Sequence, residues 1–360
     1  MPMTHPALMR AEQFCRQYQL QHPVVMAPMA GVTHHALPLA FSATGGMAAF
    51  GALMHAAPAM EDWVLQFRSQ GGGPLLLNLW MPEPAPAVPQ PEHEAALRRF
   101  LAGFGPDVPA HAADAPLHDV HEQLEMALAL RPAVLSTIMG LLPPERVAQA
   151  RAAGVAWWAT VTTVAEARLA EAAGADVIVA QGAEAGGHRG AFVAADAQRD
   201  AVGLMSLLPQ VVDAVQVPVV AAGGIGDARG VAAALLLGAS AVQVGTALLR
   251  TPEAAVHPAW AGLLAVTAPE DTQLTRAFSG RWGRALATDY VRAAAAPEAP
   301  EPAPYPRQRG LTAAMRADAT TAGDVHRMQA WAGQSAGLAQ AMPAEDWLRQ
   351  TWQQAGALLG

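Results

Sequence analysis

The residues with the clearest capacity for chemistry lie in one short stretch, "QGAEAGGHRG", at positions 181–190. It follows an apolar run and contains a carboxamide (Gln181), a carboxylate (Glu184) and a histidine (His188) preceded by two glycines. Glycine lets a ligand approach the backbone, and a neutral imidazole takes up a proton near neutral pH. The stretch is therefore either a plain turn or a ligand site with His188 as a base. We expect Glu184 to cap a helix or to form a salt bridge.

Glycines also end two later apolar runs. "VPVVAAGG" ends in Gly223 and Gly224, and "SAVQVGT" ends in Gly245 and Thr246. Without a Cβ in the way, a phosphate can reach backbone N–H groups, and a helix N-terminus adds a partial positive charge. Tight turns are the alternative explanation, but two such runs in succession favour a phosphate site.

Two carboxamides are expected at strand ends, Asn78 in "LLLNLW" and Gln181. A buried amide needs hydrogen-bond partners, which are either backbone groups or a ligand. Amides at this place suit a neutral heteroaromatic ring such as the isoalloxazine of a flavin. Met29, in "APMAGVT" (27–33), offers a pliant surface on which such a ring could pack.

We predict no metal site. His34 and His35 are adjacent, but no Asp, Glu or Cys stands near them at the spacing of metal ligands. The single cysteine, Cys15, excludes an intramolecular disulfide and a cysteine-rich metal centre.

The elements that would position these residues form a regular series. Short runs that are apolar on both faces are typical of parallel strands covered by helices. They lie at 23–28, 47–51, 74–80, 132–137, 155–161, 175–180, 217–224 and 240–246.

Ala-rich helical patterns separate these runs, as at 143–154 and 163–174. The second begins with a capping box, Thr163 and Glu166, and stops at Gly174. Eight strands alternating with helices predict an α/β fold, a (β/α)₈ TIM barrel with a C-terminal helical extension. An open, doubly wound sheet is the alternative.

The sequence divides into an N-terminal segment (1–22), a barrel (23–250) and a C-terminal helical region (251–360) that contains a Pro-rich linker (294–310). The strand pattern stops after residue 250. The segment 81–100 is first Pro-rich and then helical, and it either edges the site or is a surface excursion.

Composition limits the partners. The net charge is −8 and the 22 basic residues are scattered, which argues against a nucleic-acid partner. We see no signal peptide and no apolar run that reads as a membrane span, so we expect a cytoplasmic protein. The sequence does not indicate an oligomeric state.

Six stretches together resemble the nitronate monooxygenases, once called 2-nitropropane dioxygenases, which are FMN-dependent (β/α)₈ barrels. They occur in family order through nearly the whole chain. They are "VVMAPMAG", "LLLNLW", "QGAEAGGHRG", "VPVVAAGGIGDARGVAAALLLGASAVQVGTALL", "FSGRWGRAL" (278–286) and "WAGQSAGLA" (331–339).

The resemblance implies an enzyme that binds FMN and oxidises nitronates, or nitroalkanes through their nitronates, with dioxygen. The substrate reduces the flavin and dioxygen reoxidises it. His188 would be the catalytic base. The positions that would contact FMN are Met29, Asn78, Gln181, Gly186, Gly187, Gly223, Gly224, Gly245 and Thr246, with Gln334 and Ser335 approaching from the C-terminal region.

The chain departs from the family pattern near the expected pocket. The stretch 31–52 has two histidines and "GGMA" where the family has "GGLG", and 135–144 lacks the aromatic and His residues often seen there. These departures bear on the identity of the substrate. Two alternatives stay open: an NAD(P)H-dependent flavin reductase of the enoyl-acyl-carrier-protein or quinone type, and a barrel that binds FMN or a phosphorylated metabolite without catalysis.

Overall fold

The computed structural model describes residues 5–32, 34–82, 88–114 and 116–360. The strands are β1 (Val24–Met26), β2 (Ala48–Gly51), β3 (Leu75–Trp80), β4 (Val134–Ile138), β5 (Ala156–Val161), β6 (Val177–Gln181), β7 (Gly187–His188), β8 (Val219–Ala222), β9 (Ala241–Val244), β10 (Thr272–Thr275) and β11 (Gly283–Leu286).

Eight of these strands form one parallel sheet in the order β1-β9-β8-β6-β5-β4-β3-β2. Its two edges meet, because the Met47 N–H donates to the Val24 carbonyl at 3.1 Å and the Met26 N–H to the Met47 carbonyl at 2.9 Å. The sheet is therefore a nearly closed barrel. The predicted (β/α)₈ fold is confirmed, with one strand in each predicted run, and the doubly wound alternative is wrong.

Most of the helices pack around the barrel, and the others enclose a second, smaller hydrophobic cluster that includes Leu97, Val291 and Met315. The helices are α1 (Pro6–Tyr18), α2 (Ala36–Ala43), α3 (Ala57–Ser69), α4 (Pro91–Leu101), α5 (Val120–Leu130), α6 (Pro144–Ala152), α7 (Val164–Ala172), α8 (Leu204–Ala214), α9 (Ala228–Leu236), α10 (Pro258–Leu264), α11 (Asp289–Ala293), α12 (Arg307–Leu311), α13 (Ala313–Ala322) and α14 (Ala344–Leu359). The last helix, α14, packs against both α9 and α2, so the end of the chain completes the helical layer between the last and first strands.

Local sequence explains the limits of α7. The Thr163 hydroxyl accepts from the Glu166 N–H at 3.1 Å, and the Glu166 carboxylate accepts from the Thr163 N–H at 3.2 Å. Gly174, just beyond the helix, has φ +97°, a conformation that glycine adopts without strain. The predicted capping box is therefore present.

Strands also occur after residue 250, where the sequence analysis expected none. β10, β11 and β7 form a small antiparallel sheet in which Gly283 lies opposite His188. The segments "TQLT" and "GRAL" lack an apolar run, and Arg284 is buried because its Nε–H donates to the Ala183 carbonyl at 2.9 Å. This sheet fixes the backbone that carries His188.

Two residues in the second half of segment 294–310, Arg307 and Gln308, are buried. The Gln308 side chain is buried and donates to the Ala277 carbonyl at 2.7 Å. Arg307 pairs with Glu94 of α4 and, at 2.9 Å, with Asp114. The division of the chain into 1–22, 23–250 and 251–360 stays a prediction.

Candidate active site

A cavity of about 430 Å³ opens at the carboxyl ends of the barrel strands. Residues in or after all eight strands line it, and the C-terminal region supplies Ser279, Tyr305, Arg309, Arg316 and Trp331 to the opposite wall. The structure brings together eleven of the twelve residues named from the sequence: Met29, Asn78, Gln181, Gly186, Gly187, His188, Gly223, Gly224, Gly245, Thr246 and Ser335.

His188 is fixed by packing and by one hydrogen bond. Its ring lies edge-on to Trp80 and tilted against Trp331, with 4.7 Å between ring centroids in each case. Its Nε2 lies 2.7 Å from the Ser279 hydroxyl. Burial, together with the nearby Arg281 charge, lowers the pKa of His188 to about 3. The imidazole is therefore neutral at physiological pH and can accept a proton.

Gln181 holds the segment that carries His188. Its Oε1 accepts from the Gly190 N–H at 2.8 Å and from Arg189 at 3.1 Å, and its Nε2 donates to the His188 carbonyl at 3.1 Å. Of the two kinds of partner expected for a buried carboxamide, backbone groups or a ligand, Gln181 therefore has backbone groups. Contact of Gln181 with a flavin stays a prediction.

Asn78 lines the cavity, and its side-chain amide is held in place by a residue of the neighbouring strand β4. The Nδ2 donates to the Ser136 hydroxyl at 2.7 Å, and the residue is buried. Within the described residues, Oδ1 has no hydrogen-bond partner, so this oxygen remains to meet a ligand.

Glu184 caps a helix, as one of its two predicted roles required. Its carboxylate oxygens accept from the Leu204 N–H at 2.8 and 2.9 Å, at the start of α8. It makes no hydrogen bond to His188 in the described structure. Among the described residues, the hydrogen-bond partner of the His188 imidazole is therefore Ser279 and not a carboxylate.

The two glycine-ended strands present unpaired donors. Gly223 and Gly224 have φ of +104° and +70°, so their backbone favours glycine. Within the described chain, the N–H groups of Gly223, Gly224 and Thr246 donate to no protein acceptor, although each residue lines the cavity. Exposed backbone donors of this kind bind phosphate.

The helix that follows β8 contributes less than the sequence analysis expected. Asp227 caps α9, and its carboxylate accepts from the Arg229 and Gly230 N–H groups at 3.0 and 3.2 Å. These donors and the positive end of the helix are already neutralised by a side chain. The backbone N–H groups that remain free for a ligand are thus those of the loops after β8 and β9.

The C-terminal segment around "GQSA" closes over these loops. The Gly333 N–H donates to the Thr246 hydroxyl at 3.0 Å, and the Ser335 hydroxyl donates to the Gly224 carbonyl at 2.6 Å. Gln334 is the exception among the named residues: its N–H donates to the Glu184 carbonyl at 2.9 Å, but it does not line the cavity. A flavin contact of Gln334 stays a prediction.

Comparison with known proteins decides the family. Residues 12–353 match the family model described as nitronate monooxygenase. The chain belongs to the nitronate monooxygenase family. A nitronate monooxygenase of Pseudomonas aeruginosa is 37% identical over 344 residues, which cover 94% of this chain and 97% of that protein.

Solved structures agree with this family. A nitroalkane oxidase from Streptomyces ansochromogenes superposes with a TM-score of 0.85 at 34% identity, covering 96% of this chain and 100% of that one. FabK from Thermotoga maritima gives 0.76 at 24% identity over 96% of each chain, a likeness of fold.

Sequence reasoning missed five residues that line this nitronate monooxygenase-like cavity, four of which lie in the C-terminal region. Trp80, Ser279, Tyr305, Arg309 and Arg316 all line it. Ser279 stands in "FSGRWGRAL", a stretch that supported the family resemblance without a role being given to any of its residues. The wall that they form includes two arginines, and no Asp or Glu of the described chain lines the cavity.

The histidine pair lies in the loop after β1. His35 stacks on Trp63 with centroids 4.5 Å apart, and its Nε2 lies 2.9 Å from the Trp63 carbonyl. In the described ranges, no three His, Cys, Asp or Glu side chains come together as metal ligands. No helix in the described part of the chain is both long and apolar enough to cross a membrane.

Proposed function

We propose that this protein binds FMN and oxidises nitronates with dioxygen, in the cytoplasm. One observation carries the proposal. A neutral, half-buried imidazole and a set of unpaired backbone N–H groups face the same cavity, and the described residues place no carboxylate on its wall. Such a cavity can bind anionic ligands through its N–H groups, and its imidazole can accept a proton.

The residues present fit FMN. Gly223, Gly224 and Thr246 would hold the phosphate through their free N–H groups. Asn78 would meet the ring with its unpaired Oδ1, and Met29 would pack against it. The cavity volume of about 430 Å³ lies in the usual range for ligand sites.

When bound, FMN would accept electrons from the substrate and pass them to dioxygen. The protein's own part is to bind the anionic substrate beside this group and to exclude water. Trp80, Trp331 and Tyr305 provide aromatic walls, and Arg309 and Arg316 supply positive charge.

A neutral nitroalkane requires one further step, which we assign to His188. The neutral imidazole takes the α-proton, the C–H electron pair moves toward the nitro group, and a nitronate results. A positioned base typically contributes about 10²–10⁴ in rate. The imidazolium formed next to the nitronate would be stabilised by that anion, which offsets the low pKa of His188 in the empty site.

One pair of measurements tests the function. The purified protein is mixed with NADH without oxygen, and separately with propionate 3-nitronate in air. We expect oxygen uptake with the nitronate in the absence of nicotinamide. Rapid bleaching of the flavin by NADH would instead indicate a reductase, and no response to either would indicate a binding protein.

The cofactor is tested separately by mass spectrometry of the heat-released chromophore. The proposal requires noncovalent FMN and a yellow protein. Release of FAD, or of no flavin, would contradict it.

A further inference from the structure

The hydroxyl of Ser279 makes three close contacts that together restrict where its proton lies. The Oγ is 2.7 Å from His188 Nε2, 3.3 Å from the Arg281 carbonyl oxygen, and 3.3 Å from the Arg281 N–H nitrogen. Ser279 is 2% exposed, so these groups are its partners in a nearly dry environment. A hydroxyl has one proton to donate and two lone pairs with which to accept.

Only one proton arrangement makes all three contacts attractive. The Arg281 N–H can only donate, so it donates to Oγ. The Arg281 carbonyl can only accept, so Oγ–H must donate to it. Nε2 of His188 must then carry a proton and donate to the remaining lone pair of Oγ. If the Ser279 hydroxyl instead donated its proton to Nε2, Oγ and the buried Arg281 carbonyl oxygen would face each other with no proton between them.

The other ring nitrogen is then the basic one. A neutral imidazole with a proton on Nε2 has its lone pair on Nδ1. Within the described residues, Nδ1 has no hydrogen-bond partner. It is nevertheless accessible rather than buried, because His188 lines the cavity. Trp80 and Trp331 prevent the ring from turning to exchange its two nitrogens.

We propose that Ser279 is a positioning residue that fixes His188 as the Nε2–H tautomer, so that Nδ1 is the atom that accepts the substrate proton. The inference rests on the proposed function for the role of that proton, but the tautomer itself does not depend on any activity. After proton transfer, the Nε2–H of the imidazolium still donates to Ser279, whose hydroxyl donates in turn to the Arg281 carbonyl. The chain of hydrogen bonds therefore survives the reaction step without rearrangement.

The tautomer is measured directly by nitrogen-15 NMR of protein labelled at histidine and carrying its natural cofactor. The His188 signals are assigned by their loss in His188→Asn. We expect a protonated Nε2 and an unprotonated Nδ1 in the wild type near neutral pH. A protonated Nδ1 in the wild type would overturn the proposal, whether or not the protein oxidises nitronates.

Ser279→Ala then tests the consequence for catalysis. Loss of the hydroxyl lets the ring populate both tautomers, and the bond to the imidazolium disappears. We expect kcat/KM for a nitroalkane to fall about ten- to a hundredfold, as for a hydrogen bond to a charged group, and turnover of a preformed nitronate to change little. Ser279→Thr keeps the hydroxyl and should restore both the tautomer and the nitroalkane rate.

Thr267→Ala is the matched control. Its hydroxyl is nearly buried and donates to the Leu263 carbonyl at 2.8 Å, but the residue does not line the cavity. It should leave the His188 signals and the ratio of nitroalkane to nitronate rates unchanged. Equal losses with both substrates in Ser279→Ala, with an unaltered tautomer, would show that Ser279 only supports the fold.

Discussion

His188 is held by neighbours from three distant parts of the chain. Trp80 ends β3, Ser279 precedes β11, and Trp331 lies in the C-terminal segment. Each contact restricts the ring without adding a negative charge next to it. These neighbours keep the His188 imidazole neutral and hold it in one orientation. Both properties suit the proton acceptor that we propose.

Replacing His188 with Asn should separate the two substrate types. A neutral nitroalkane needs the base and should lose about 10²–10⁴ in turnover. A preformed nitronate has already lost its proton, so its oxidation should fall far less. Oxygen uptake with both substrates, at matched flavin content, measures the difference. If the two rates fall together, His188 binds the nitro group instead of taking a proton.

The low pKa of His188 predicts the pH dependence. Below its pKa of about 3 the ring is charged, and above it the ring is neutral. Protonation of His188 should therefore not reduce nitroalkane kcat/KM as the pH falls from about 8 to 5, although an unperturbed histidine titrates in that range. Initial rates of the free enzyme across this range test the point. An inflection near 6.5 that disappears in His188→Asn would contradict it.

Among the elements, the loops proposed to bind the phosphate depend on glycines in unusual backbone conformations. Gly224 lines the cavity with φ +70°, and Gly154, after α6, has φ +71° with no atom within 4 Å of an added Cβ. The two positions therefore impose the same backbone cost on any other residue, of about 1–2 kcal/mol. They differ in their surroundings, because an added Cβ at Gly224 would lie on the cavity wall, 3.3 Å from Glu184 Cβ, whereas at Gly154 it would stand in open space.

We expect Gly224→Val to lose bound flavin while the barrel stays folded, because a branched side chain crowds the loop that would hold the phosphate. Gly154→Val should cost only the backbone strain that both positions share and should keep its flavin. Circular dichroism and flavin absorbance on the same samples give both quantities. Full occupancy in Gly224→Val would show that the glycine serves the turn alone.

The buried pair of Glu94 and Arg307 joins α4 to α12, next to Tyr305 on the cavity wall. Hydrogen bonds from Arg307 hold the pKa of Glu94 below its usual value. The stability that the pair adds is therefore present above the unfolded pKa and is lost as the pH falls through the lower, folded one. Glu94→Gln should lower the free energy of unfolding by about 3 kcal/mol at neutral pH, since it removes the buried carboxylate and leaves Arg307 only the solvent-exposed Asp114.

Urea denaturation followed by tryptophan fluorescence measures this loss. Glu345→Gln is the control, because the Glu345–Arg349 pair on α14 is solvent-exposed and should matter by less than about 1 kcal/mol. Equal effects of the two substitutions would contradict the structural role of Glu94.

The elements differ in how far the sequence reveals them. The eight barrel strands were predictable because each is apolar on both faces, a local pattern. β10 and β11 were not, because β11 contains a charged residue, Arg284, whose buried position and bonds to Ala183 and Thr272 depend on tertiary packing. Segment 294–310 resembles a linker in composition, but its packing depends on Glu94, far earlier in the chain.

The candidate site divides in the same way. The glycines and His188 stand at strand ends, where residue type and position together indicate a ligand. Ser279 and Arg316 reach the cavity only through tertiary packing, and no local pattern marks them. Arg316 hydrogen-bonds to neutral groups such as Gln329, and burial, together with the nearby charge of Arg309, lowers its pKa to about 10.

At the scale of the whole molecule, the last helix is part of the barrel's shell. Leu348 and Trp347 of α14 are buried between α9 and α2. Leu348→Ala should cost about 2–5 kcal/mol in the free energy of unfolding through the cavity it leaves. Leu358→Ala on the same helix is a control, since Leu358 is 58% exposed and should change stability by at most about 0.5 kcal/mol.

Thermal unfolding of the two variants, followed by circular dichroism and flavin release together, gives the measurement. We expect one transition in which helix and flavin signals change at the same temperature. Loss of α14 well before release of the flavin would show that the helix is an appendage of the barrel.

The closure of the phosphate loops by Gly333 and Ser335 has a consequence for how the protein is made. The ribosome releases the chain from its N-terminus, so all eight barrel strands emerge before the segment that covers Gly224 and Thr246. Until then the loops that would bind the phosphate lack the contacts with Gly333 and Ser335 and are exposed to water. The cavity wall that includes Ser335 is completed only after that residue has left the ribosome, so we expect the proposed cofactor to bind after this point.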